Sequence, residues 1–276
     1  MAIYHLTAQA LSRKDNRSAT ASAAYRSGDK IHDQRSQKTH DYTRRKGVVF
    51  SEIIAPDHTP DWMHDRAQLW NAVEQAEKRK DSCVAREVEV ALPRELDTAR
   101  NTALLHGFIA EQFTARGIIV DVAMHESQAR DGKPQPHAHI LFTTREITAH
   151  GLGKKNRDVE GNQRNEVLKQ WRQAWEAHVN RALADTGETA RVDHRTLEVQ
   201  GIDRLPEPKI GVVAHAMEQC GTVTDRGAFW QEVDEHNTLR AQLDAFYAKT
   251  AQTLKALESF IKAGQEVVQR HAILIN

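Results

Sequence analysis

The chain predicts an α+β fold: about five strands in a mostly antiparallel sheet, with helices over one face and a second face left open and polar. Three observations carry this. The stretches CVAREVEVALP (83–93) and GIIVDVAMH (117–125) alternate apolar and polar side chains, as half-buried strands do. Segments 97–116 and 165–184 carry apolar residues at helical spacing. Between the strand ending at His125 and the stretch PHAHILF lies a turn with Asp131-Gly132 and Pro134, the signature of a hairpin.

Taken in order, Ala2–Ala8 reads as a short first strand. Ser18 is placed to cap a helix of alanines that carries Tyr25 in its last turn and ends at Gly28. Residues 30–50 are polar and basic and finish in the strand VVFSEII. Pro60 opens a helix to about Lys80, with Trp62, Trp70 and Val73 at roughly helical spacing. In the strand that follows, Val84, Arg86, Val88, Val90 and Leu92 share one parity and Glu87, Glu89 and Ala91 the other. Leu105, Phe108, Ile109 and Phe113 form the stripe of the next helix. In the strand after it, Val120, Val122 and Met124 oppose Ile119, Asp121, Ala123 and His125. Lys154, Lys155 and Arg157 fall in a Gly-rich loop, and Val167, Trp171, Trp175 and Val179 line the helix over 165–184. Residues 186–211 are irregular. From Phe229 onward Val233, His236, Leu243, Tyr247, Leu254, Leu257 and Ile261 recur at three and four, the pattern of a long helix of coiled-coil character. The expected domains are 1–211 and a helical extension over 212–276.

The parity has a chemical consequence. Residues i and i+2 of a strand point the same way, so His137 and His139 project from one face while Ala138, Ile140 and Phe142 project from the other. If the hairpin turns near Asp131-Gly132, opposed residue numbers sum to about 262–264, and His125 stands opposite His137 or His139. Three imidazoles then converge on one patch. Three protein ligands with an open position form a reactive metal site, because a structural site uses four. Glu87 and Glu89 share the face, as carboxylates that orient a ligand or act as general base. Tyr25 sits beside a basic segment and can attack phosphorus near such a cation. Between Leu11 and Phe50 ten Lys/Arg face four Asp, a local excess of six in a chain whose formal net charge is zero. That is a phosphate footprint.

The blocks MAIYHLTAQ, SATASAAYRSG, REVEVALPREL, HESQARDGKPQPHAHI and DHRTLEVQGIDRLPEPKIG, in this order, resemble the N-terminal nicking domain of the MobA/MobL plasmid mobilisation relaxases, members of the His-hydrophobe-His single-strand endonucleases. The resemblance covers roughly residues 1–211. It implies a five-stranded antiparallel sheet and a metal-assisted transesterification at a plasmid transfer origin. Tyr25 would be the nucleophile, forming a 5′-phosphotyrosyl intermediate and a free 3′-hydroxyl. His125, His137 and His139 would hold Mn²⁺ or Mg²⁺, the former better suited to imidazole. One of Glu87 and Glu89 would act as base or orient a histidine. The implied partner is single-stranded and hairpin transfer-origin DNA, with accessory mobilisation proteins and a coupling protein in the wider process. Phosphate contacts would come from Arg13, Lys14, Arg17, Arg26, Arg44, Arg45 and Lys46, from Lys154, Lys155 and Arg157, and from His194 and Arg195. In the family an Asp often stands two residues after the first histidine; here Ser127 does, and His137 follows His125 by twelve positions.

Related chemistry gives three rival readings: a rolling-circle replication initiator, a metal nuclease that uses water, and a DNA-binding accessory protein that does not cleave. Two cysteines make no disulfide framework, and neither a signal-peptide pattern nor an apolar run of membrane-spanning length is present, so the expected compartment is the cytoplasm.

Overall fold

The computed structural model describes residues 3–128, 132–156, 164–208 and 210–274. The chain divides into two compact units, the first reaching His194 and the second beginning at Arg195.

The first unit is built on a five-stranded antiparallel sheet. In chain order its elements are β1 (Leu6–Ser12), α1 (Ala19–Ser27), β2 (Lys30–Asp33), β3 (Lys38–Asp41), β4 (Val48–Ile54), α2 (Arg66–Ala76), β5 (Cys83–Ala91), α3 (Thr98–Gln112), β6 (Val120–Gln128), β7 (Pro134–Phe142), β8 (Arg145–Thr148), β9 (Gly151–Lys155) and α4 (Arg164–Asp185). Spatial order in the sheet is β1-β5-β7-β6-β4, while β2-β3 and β8-β9 form two separate hairpins. The central position of β7 puts the His-x-His stretch between β5, with its glutamates, and β6, with His125.

One face of the sheet packs as expected. Val88, Val90, Val120, Val122, Met124, Ala138, Ile140 and Phe142 meet Leu105, Phe108, Ile109 and Phe113 of the α3 segment and Val167, Trp171, Trp175 and Val179 of α4. The aromatic rings interlock, with Phe113 stacked on Trp171 at 5.0 Å and Trp175 edge-on to Phe108 at 5.0 Å.

The other face differs from the expectation of an open polar surface. A second core covers much of it, formed by Leu11, Ala19, Ala23, Ala24, Leu69, Trp70, Val73, Ala85, Ile119 and Leu141. Helices α1 and α2 lie there. The alternation misleads at Asp121, which is buried: Arg66 forks onto its carboxylate at 2.9–3.0 Å and the Trp70 indole donates at 2.8 Å. Burial pushes the Asp121 pKa up, against the pull of Arg66. A polar residue on a strand thus marks either solvent or a buried partner, and parity alone does not distinguish them.

Several element bounds also differ. The first strand begins at Leu6, because its pairing with β5 runs on from Leu6↔Val90 to Ser12↔Cys83 across the polar residues Thr7 and Gln9. The segment after Pro60 is a 3-10 turn (Asp61–His64) followed by α2, because the Asp65 side chain caps Gln68 N and restarts the helix. The basic stretch contains the hairpin β2-β3, turned by the Asp33 carboxylate accepting from Ser36 N at 2.8 Å. Lys154 and Lys155 lie on β9 rather than in a loop.

The second unit contains α5 (Val212–Gln219), which the sequence reading did not anticipate, and α6 (Asp225–Leu274), the expected long helix. Asn237 clamps Leu205 through both its backbone N–H (2.9 Å) and its carbonyl (3.0 Å), tying the irregular stretch to α6. Leu254, Leu257, Phe260 and Ile261 of α6 are exposed. Among the described residues no helix is long and apolar enough to cross a membrane.

Candidate metal centre and nucleophile

The site begins with register. His125 pairs with His137 and Ala123 with His139, so the three rings share one face of β6 and β7. Ring centroids lie 4.8 Å apart for His125 and His139, 5.4 Å for His137 and His139, and 5.5 Å for His125 and His137. One ring nitrogen from each lies within 4.8 Å of the others, a set that could hold a metal ion.

The remaining nitrogens decide whether the set suits a cation. His125 Nε2–H donates to the carbonyl of Arg26 at 2.7 Å, His137 Nδ1–H to the carbonyl of Gln135 at 3.2 Å, and His139 Nδ1–H to Glu87 Oε1 at 2.8 Å. Each imidazole therefore spends one nitrogen on an oxygen acceptor and has its lone pair on the other; at His125 that lone pair, on Nδ1, faces Arg45 at 3.3 Å, a contact a cation would displace. Metal-ligating histidines show this pattern, since the outer hydrogen bond fixes tautomer and ring plane. Burial lowers the His125 pKa to about 4, and burial also lowers that of His137. Both rings are thus neutral near pH 7, the form that binds a cation.

Glu87 is fully buried on β5 and forms the other side of the site. It receives His139, both Nε and Nη2 of Arg26 (the latter at 2.6 Å), and the amide of Gln9. Burial opposes its ionisation, but the hydrogen bonds from His139 and Arg26 and their charge outweigh it, and its pKa falls to about 2. A carboxylate held so firmly ionised has little affinity for a proton. Glu89 pairs across the strands with His139, its carboxylate is 3.6 Å from His5, and its charge favours protonated His137.

Tyr25 arrives from the opposite direction. Ser18 caps α1 through Ala21 N, and Gly28 closes it with φ 76°, so Tyr25 sits in the last turn. Tyr25 is 44% exposed, and its hydroxyl makes no hydrogen bond among the described residues. Arg26, the next residue, touches the triad directly through its carbonyl, which accepts from His125, and indirectly through its guanidinium, which pairs with Glu87, the acceptor of His139. The end of α1 is therefore docked on the histidines, and the phenol with it. Arg45 lies over the Tyr25 ring at 3.6 Å from its centroid, donates to the Tyr25 carbonyl at 2.6 Å, and reaches His125 Nδ1 at 3.3 Å. Tyr42 meets the ring edge-on at 5.1 Å.

The expected phosphate contacts separate into groups. Lys14, Arg17, Arg44, Lys46 and Lys154 are exposed. Arg13 is not available: its guanidinium is enclosed by Glu74 and the carbonyls of Glu77 (2.7 Å) and Arg79 (3.0 Å). Lys155 is bound to the Cys83 carbonyl at 2.9 Å and to Glu77 at 3.3 Å. His194 is held by Glu176, which accepts both its ring N–H and its backbone N–H. Arg195 is exposed in the second unit, and Arg157 lies outside the described residues. Sequence reasoning missed Gln9, and also a groove of about 840 Å³ whose lining includes Arg17, Arg35, Lys38, Lys78 and Lys80. The run KRKD at 78–81 was a signal for the latter.

Comparison with known proteins agrees with this architecture. Residues 17–220 match the model of the MobA/MobL family. The chain is 36% identical over 246 residues to mobilization protein MobL of Acidithiobacillus ferridurans, covering 79% of this chain and 64% of that protein. It is 32% identical over 270 residues to a probable conjugal transfer protein TraA of Sinorhizobium fredii, covering 88% of this chain and 24% of that one. The chain thus spans less than two thirds of the length of either relative. A solved structure described as "Molecular Basis of Vancomycin Resistance Transfer in Staphylococcus aureus" superposes with a TM-score of 0.63 at 32% identity, over 71% of this chain and 100% of that one. With three quarters of its length matched, and with the histidines, tyrosine and sheet in the places described, the chain belongs to the MobA/MobL family.

Proposed function

We propose that the chain is the nicking part of a conjugative relaxase, which cuts and rejoins single-stranded DNA at a plasmid transfer origin. The observation that carries this is the docking of α1 on the triad: a half-exposed phenol stands one residue from the carbonyl that holds His125. The nicking chemistry is assigned to the expected domain 1–211.

In this reading His125, His137 and His139 hold a divalent ion, Mn²⁺ or Mg²⁺, whose contribution is to draw charge from a phosphate oxygen. Tyr25 supplies the nucleophile. The bond from its phenolic oxygen to phosphorus forms as the bond to the 3′-oxygen breaks, giving a 5′-phosphotyrosyl ester and a 3′-hydroxyl. The phenol proton passes to a base, and the departing oxygen gains a proton. Glu87 keeps His139 in the correct tautomer, which leaves Glu89 as the proton acceptor of the pair. Rejoining is the same step reversed. Lys14, Arg17, Arg44, Lys46 and Lys154, and the groove with Arg35, Lys38, Lys78 and Lys80, hold the DNA backbone. Accessory mobilisation proteins and a coupling protein complete the process, and the expected compartment is the cytoplasm.

The test uses single-stranded oligonucleotides tiling the replicon that carries the gene, with Mn²⁺, resolved on a denaturing gel. One strand is expected to yield a covalent protein–DNA band that Tyr25→Phe abolishes. Cleavage that survives Tyr25→Phe would instead indicate water as nucleophile, and binding without any cleavage would indicate an accessory protein.

A further inference from the structure

We infer that Arg45 is a positioning residue for the nucleophile, holding the Tyr25 phenol at a fixed orientation to His125; this rests on the reading of Tyr25 proposed above. Three contacts meet in one guanidinium. Its face covers the Tyr25 ring at 3.6 Å and one amino group donates to the Tyr25 carbonyl at 2.6 Å; the other lies 3.3 Å from His125 Nδ1, a contact that gives way when that nitrogen binds a cation, so the bracing rests on the first two. The ring and the end of α1 are thereby tied to a single rigid plane.

The arginine is itself held. Arg45 N–H donates to the Tyr42 carbonyl at 2.8 Å, and Tyr42 N–H donates to Asp29 at 3.0 Å, just past the end of α1. Two residues on, the Gly47 carbonyl accepts from Glu126 N at 2.9 Å, beside His125 on β6. The turn is thus anchored at both ends to the elements it bridges. Without Arg45, the remaining ring contacts of Tyr25 are Tyr42 edge-on at 5.1 Å and Arg26 at 5.9 Å. A tyrosine that is 44% exposed and so lightly braced would sample several rotamers.

A phosphate contact is the simpler role for an arginine beside a nucleophile, and the two roles predict different results. A phosphate contact needs charge, which lysine supplies. Positioning needs a flat cation with donors at two corners, which lysine lacks. It also acts on the bound complex, so it alters the rate at saturating DNA and leaves affinity nearly unchanged.

The experiment compares the unsubstituted protein with Arg45→Lys and Arg45→Ala, using the oligonucleotide that gives the covalent band. Affinity is read by fluorescence anisotropy and adduct formation by single-turnover rate at saturating DNA with Mn²⁺. In parallel, without DNA, nitration of Tyr25 by tetranitromethane is followed by peptide mass spectrometry. Both variants are expected to form adduct about ten- to a hundred-fold more slowly at saturation. Both should also nitrate Tyr25 faster and keep DNA affinity within about three-fold of the unsubstituted protein. Recovery of the rate by Arg45→Lys, a loss confined to affinity, or unchanged nitration would overturn the inference. If no oligonucleotide yields an adduct with the unsubstituted protein, the relaxase reading fails, while nitration still reports on the contact by itself.

Discussion

At the residue scale, Glu87 shows how one buried charge organises a site. It has no exposed surface, and its carboxylate accepts from Arg26, His139 and Gln9. Glu87→Gln keeps the shape and removes the charge that balances Arg26. The expected result is a loss of about 3 kcal/mol in stability, the usual cost of breaking a buried pair, read as a lower urea midpoint. Mn²⁺ affinity, measured by calorimetry, should fall about ten-fold or more as His139 loses its fixed tautomer. Asp33 behaves differently. Burial opposes its ionisation, but hydrogen bonds from Thr20, Ser18 and Ser36 overcome this and lower its pKa to about 2. A depressed carboxyl pKa adds stability that is fully present above the ordinary value of about 4 and is lost as pH falls through about 2. Urea midpoints at pH 7, 4 and 2.5 should therefore drop over that window, and the drop should shrink in Asp33→Asn. The three histidines were legible in sequence because parity and hairpin arithmetic are local rules. Arg45 as a brace, Gln9 and the Arg26 carbonyl were not, because each depends on segments 20 to 99 residues apart meeting in space.

At the scale of elements, periodicity was a good guide wherever a stripe met a core. The α3 and α4 stripes and the β5–β7 alternation stand as read. The short hairpins β2-β3 and β8-β9 went unread because four- or five-residue strands bury few side chains and so carry little pattern. The covering of the second face by α1 and α2 was missed for a related reason. Its sheet contacts mix large apolar residues, Leu11, Ile119 and Leu141, with small or polar ones such as Ala85 and Asp121, which look like a wet surface in sequence. Gly47 is where two elements come closest. It has φ 85°, and a Cβ there would stand 2.9 Å from the Glu126 carbonyl. Gly47→Ala should therefore cost about 2 kcal/mol, visible in the thermal midpoint. It should also slow adduct formation, because the same turn carries Arg45.

At the scale of the whole molecule, all the groups proposed for bond making and breaking lie before His194, and the second unit has its own internal ties, such as Asn237 to Leu205. A chain ending at residue 211 should accordingly fold and form the covalent adduct at a rate within about three-fold of the longer one, since a unit with its own core can stand alone. A much slower rate would mean that the long helix takes part in the chemistry. The pairing of β6 with β7 has one more consequence. The three imidazoles are fixed by which residues face each other across the ladder, from His125↔His137 to Val120↔Phe142. A slip of β7 by a single position would turn His137 and His139 to the side away from His125 and empty the centre of two of its three donors at once, so the site depends on the phase between the two strands.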